Sequence, residues 1–132
     1  MGDETQAHWE SPLAQSVRGV GFWDNMLVRI LLGGASLALV ISIVLFGFFI
    51  RPSETPIILH YSVYFGVDLL GIWWQVYVLP LLGLLFVMGH LFLAQRFYKK
   101  TERIACYLML LSGGMLSFGL LVASVGIVFI NY

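Results

Sequence analysis

Charge is scarce in this sequence: seven Lys and Arg and seven Asp and Glu make up 11% of 132 residues, while 60% are hydrophobic. A soluble domain averages about 25% charged and about 45–50% apolar residues. One of this length leaves roughly a third of its unfolded surface in water, and this chain lacks the polar side chains to cover such a surface. Lipid must solvate much of it. Formal net charge is zero, so no overall field draws the chain to nucleic acid. The single cysteine, Cys106, lies in an apolar run, which excludes an internal disulfide and reads as a buried structural thiol. His, Cys, Asp and Glu form no metal-ligand spacing and no glycine loop suits a nucleotide, so no cofactor is expected.

What is present is apolar length. Residues 26–50 carry one charge, Arg29, and the uninterrupted part 30–50 holds 21 residues, enough to cross about 30 Å of hydrocarbon. The apolar run exceeds that of a secretory signal and is followed by Arg51-Pro52-Ser53-Glu54, so this span should stay attached as an anchor. A second span reads from about 72 to 93, with Trp73, Trp74 and Tyr77 at one interface and Phe97 and Tyr98 at the other. Pro80 stands a third of the way into it and predicts a kink. After a basic loop over 94–103, residues 104–130 make the third span.

The expected fold is therefore all-α: three transmembrane helices in a small bundle over 26–132, preceded by a polar segment over 1–25. In that segment Ser11-Pro12 is a helix-start signal, and Trp9, Leu13 and Val17 recur every four residues. This admits either a short interfacial helix or an unstructured tail. In a three-span arrangement Arg18, Arg29, Arg96, Lys99, Lys100 and Arg103 fall on one side and Arg51 on the other. That asymmetry predicts a cytoplasmic N-terminus, with the 51–71 connector and the C-terminus outside.

Small residues suggest how the helices meet. Gly34, Ala38 and Ser42 share a face of the first span, and Gly113 with Ser117 and Gly119 with Ala123 repeat the device on the third. Such rows let helix backbones approach closely, so contacts are expected there, within the chain or in assembly with another protein, at Gly34 and Gly113 above all.

Chemistry-bearing residues are few. His90 is the one ionisable residue well inside a span, with no second ligand at i+3 or i+4. In the connector, His60, Tyr64 and Asp68 would align on one helical face, yet two turns separate His60 from Asp68, about 12 Å on an ideal helix. Asp68 and Gln75 could instead anchor the start of the second helix. The connector, read as part extended and part helical, holds Ile57, Tyr61, Tyr64 and Phe65. Water would not tolerate these as free coil, so order and recognition are expected at His60, Tyr61, Tyr64 and Asp68.

The run Leu59-His60-Tyr61-Ser62-Val63-Tyr64-Phe65-Gly66-Val67-Asp68-Leu69-Leu70-Gly71, followed by Trp73-Trp74 and by Leu79-Pro80-Leu81-Leu82-Gly83, resembles a family of short multi-pass membrane proteins from candidate-phyla (Patescibacteria-type) bacteria. The resemblance covers roughly residues 57–130. It implies a bacterial plasma-membrane location and no activity, cofactor or catalytic residue. The expected role is that of a non-enzymatic subunit or scaffold whose partners are the bilayer and other membrane proteins or a second copy. The alternative is an oligomeric pore, holin-like or transporter-type subunit, against which the near-absence of charge in the spans argues.

Overall fold

The computed structural model of the chain describes residues 21–132. The interfacial segment expected around Trp9, Leu13 and Val17 lies outside the described residues. Three helices are long and apolar enough to cross a membrane. The first, α1 (Met26–Phe49), starts where the Asn25 side chain accepts the Leu27 N–H at 3.0 Å, which satisfies one of the free donors of the first turn. It ends before Arg51-Pro52, where the chain becomes extended.

The connector then folds into an antiparallel hairpin, β1 (Ile57–Ser62) and β2 (Gly66–Gly71). This replaces the part-helical segment expected there, since β-branched and aromatic residues suit a ladder better than a helix. Gly66 closes the turn with φ +78°, a conformation open to glycine at little cost, and Ser62 Oγ accepts the Phe65 N–H at 3.1 Å.

A 3-10 turn (Trp73–Tyr77) leads into α2 (Val78–Lys99). Pro80 therefore stands in the first turn of α2, where a missing N–H breaks no ladder, which removes the reason for the kink expected a third of the way along. The helix also runs six residues past the expected end at 93, carrying Arg96 and Lys99 on its last turns. A basic side chain there keeps its stem along apolar surface and its charge in the headgroups. Lys100–Glu102 makes the turn into α3 (Arg103–Asn131). Thr101 takes φ +65°, its N–H bonds Tyr98 O, and Glu102 N–H reaches back to Phe97 O. That is the double bond of a Schellman ending, with threonine where glycine is usual.

Helix α3 packs along both neighbours, and three apolar layers follow one another down the bundle. Val28, Ala94, Cys106 and Leu110 fill the basic end; Ala35, Leu39 and Val87 the middle; Phe46, Ile50, Val76, Ile127 and Val128 the hairpin end, where Ile57 and Leu59 join them. Buried hydroxyls need internal partners in lipid. Ser42, Ser117 and Ser124 each donate to the carbonyl four residues back, at 3.0, 2.9 and 2.8 Å. Among the described residues no buried side-chain polar atom lacks a partner. Only 28%, 22% and 28% of the three spans is buried within the chain, so most of their surface faces lipid or another protein.

Candidate recognition surface at the hairpin end

The hairpin is held at its base by one side chain. Asn131, at the end of α3, accepts the Ile58 N–H at 2.8 Å and donates its amide to Ile58 O at 2.7 Å and to Ile127 O at 2.8 Å. Donor and acceptor of one strand residue are thus satisfied together, fixing β1 against α3. Gln75 caps the 3-10 turn that follows β2, its amide oxygen accepting the Ile72 N–H at 2.9 Å. Asp68 does not share this role, because it lies in β2 rather than at a helix start.

Asp68 meets His60 instead. The ladder slips twice, between Ile58 and His60 and between His60 and Tyr61, leaving Leu59 and Asp68 as the extra residues of the two strands. Such bulges re-aim a side chain, and Asp68 Oδ2 comes to 3.3 Å from His60 Nδ1. The two do touch, contrary to the helical estimate, because a hairpin folds residues eight apart back onto each other. The pair sits in the open, with side chains 65% and 34% exposed, so its charges are solvated and carry little energy. Tyr61 is exposed on β1, and Tyr64 lies at the tip between Val63 and Phe65, the three being 92%, 88% and 85% exposed in the order Tyr64, Val63, Phe65. A contiguous apolar tip of this kind marks a membrane or protein contact.

The small residues divide into two groups. Ala38, Ser42, Gly113 and Ser117 are buried, and a β-carbon on Gly113 would stand 3.2 Å from His90 Cβ, so α2 and α3 meet closely there. Gly34, Gly119 and Ala123 are exposed, and at Gly34 and Gly119 an added β-carbon would meet no atom within 4 Å. Of the two expected uses of these faces, contact within the chain is not made at those three, which leaves their sides open. Helix α3 turns its Ser117–Ser124 side inward, which leaves the Gly119–Ala123 side outward. The closest approach involving α2 is at Gly83, which sequence reading passed over: a β-carbon there would collide with the Leu39 side chain and touch Leu120.

His90 is satisfied within the bundle. Its Nδ1 lies 2.7 Å from Phe86 O and its Nε2 3.4 Å from Ser112 Oγ. A carbonyl only accepts, so Nδ1 carries a proton and donates to Phe86 O. Among the described residues no group of three or more His, Cys, Asp or Glu could hold a metal ion. No protein family, curated protein or solved structure matches the chain.

Proposed function

We propose that this chain is a small non-enzymatic subunit or scaffold of a membrane assembly, resident in a bacterial plasma membrane, which presents the hairpin tip to another membrane protein. The carrying observation is the combination of a tether and an exposed apolar tip: Asn131 holds β1 through both backbone groups of Ile58, and Val63, Tyr64 and Phe65 project beyond the strands. A hairpin alone is marginally stable, so anchoring it to α3 pre-organises three side chains that stay exposed. Pre-organisation of that kind lowers the cost of association. The basic residues Arg96, Lys99, Lys100 and Arg103 cluster at the opposite end of α2 and α3, which supports a cytoplasmic basic turn and an outside hairpin.

Purification from membranes in mild detergent tests this. A single polypeptide should co-purify in fixed ratio with the native chain and be lost when Val63, Tyr64 and Phe65 are all changed to Ser. Retention by the triple variant would overturn the role of the tip. Homo-oligomers that conduct ions in liposomes would show the pore instead. For orientation, single cysteines at positions 64 and 101 should label from outside and inside respectively, and the reverse pattern would refute the assignment.

A further inference from the structure

The hairpin does not stand straight off the end of the bundle. Tyr61 and Leu70 line the same groove as Val78 on α2 and Ala123, Gly126 and Ile130 on α3, although Ala123 lies eight residues before the anchor Asn131. Eight residues correspond to about 12 Å of helix, so the strands lean back over a channel between α2 and α3. The groove measures about 690 Å³, within the roughly 300–1,000 Å³ of small-molecule sites. Its walls are almost wholly apolar, with His60 and Gln75 among its borders on the hairpin side. At Gly126 an added β-carbon would meet no atom within 4 Å, so the floor is open because the side chain is missing.

We propose that this groove binds one acyl chain of a phospholipid from the leaflet on the hairpin side. Three features select that occupant over a helix of a second copy. The α3 wall of the groove extends from Ala123 to Ile130, about 10 Å, which fits within the roughly 15 Å of one leaflet, half of the hydrocarbon core; a transmembrane helix needs the full thickness. The overhanging hairpin obstructs that end of the groove, which a continuous helix would have to pass, while a lipid tail enters from the side. The adjacent His60–Asp68 pair, at 3.3 Å, places an imidazole and a carboxylate beside the groove, groups that can bond the phosphate and ammonium of a zwitterionic headgroup. In hydrocarbon an unfilled apolar channel forfeits dispersion contacts along its walls, and a tail enclosed by a hairpin and two helices recovers more of them than one lying on a convex helix. The inference rests on the membrane-spanning helices and is independent of any protein partner at the tip.

Native mass spectrometry of the detergent-purified chain with added palmitoyl-oleoyl phosphatidylethanolamine tests it. The native chain should retain one lipid, and Gly126→Leu, which fills the groove, should lower the retained fraction about tenfold. Gly119→Leu, on the same helix and equally unobstructed but outside this groove, should retain lipid as the native chain does. Ala123→Leu repeats the test from an exposed position should Gly126→Leu fold poorly by circular dichroism. Equal retention in the native and groove-filled chains, no retained lipid in any of them, or a dimer that Gly126→Leu dissolves would each overturn the proposal.

Discussion

The two ends of the bundle are both pinned by an asparagine, yet to different purposes. At the basic end Asn25 caps α1 and donates to Tyr107 Oη at 2.6 Å, joining the starts of α1 and α3. Around it Phe22 packs edge-on to Tyr98, and Arg103 lies 5.7 Å above the Tyr98 ring. Those contacts tie the approach to α1, the end of α2 and the start of α3 together. At the hairpin end Asn131 joins α3 to a strand rather than to another helix, and beyond that strand lie an open tip and a groove. The contrast shows one residue type used first to finish a bundle and then to hold out a surface. Buried apolar layers fill both ends, and the exposed apolar tip lies only at the hairpin end.

Changing the two asparagines separates these roles. Asn131→Leu leaves the Ile58 N–H and carbonyl without partners, each half-buried, and should cost about 1–3 kcal/mol, the range for an orphaned polar group. Its sign would be local: amide exchange over 57–62 should accelerate strongly while the helices keep their protection. Asn25→Ala removes a cap and should cost about 1 kcal/mol, with exchange rising in the first turn of α1 and none in the hairpin. Uniform acceleration in both variants would mean that the two ends unfold together, and the division between them would fail.

The sequence exposed the spans because apolar length is a physical requirement of the bilayer, and three long runs satisfy it in only one way. The start of α2 was less legible, since Pro80 looks the same in a helix interior and in a first turn. Its end was hidden because Arg96 and Lys99 read as loop residues, though long stems allow them to end a membrane helix. The hairpin escaped because its turn is Val63-Tyr64-Phe65, without the Asn-Gly or Asp-Gly that announces one; Gly66 and the β-branched strands were the available signals. On α3, Gly119–Ala123 and Gly113–Ser117 have the same spacing, and spacing cannot say which side faces inward. Gly83 has no small partner four residues away, so nothing in its own helix marks the approach of Leu39. The order of the 57–71 segment was legible in its apolar and aromatic side chains, while the tether at Asn131, 73 residues from Ile58, is a tertiary fact.

A smaller effect, of opposite sign, belongs to the basic turn. Thr101 holds φ +65°, which costs an ordinary residue roughly 1–2 kcal/mol, whereas glycine adopts it freely at about 0.5–1 kcal/mol of unfolded-state entropy. Thr101→Gly should therefore stabilise the chain by about 0.5–1 kcal/mol, read as a raised midpoint of unfolding in detergent. A destabilised variant would show that the threonine side chain secures the turn, and that the basic end depends on it more than on Asn25.

The smallest expected effect falls on His60 and Asp68, the most conspicuous charged pair of the hairpin. Because His60 is 65% and Asp68 34% exposed, water screens the pair, and such ion pairs contribute about 0–1 kcal/mol. Asp68→Asn keeps the shape and a hydrogen-bonding oxygen while removing the charge, so the unfolding midpoint should move little. The hairpin is held from elsewhere: Asn131 bonds both backbone groups of Ile58, which are present whatever the side chain at position 68. Amide exchange over 57–71 should accordingly match the native chain. Exchange that quickens in the variant would mean that the ion pair, rather than the asparagine tether, orders the hairpin. The contrast between the two ends would then lie in charge and not in backbone anchoring.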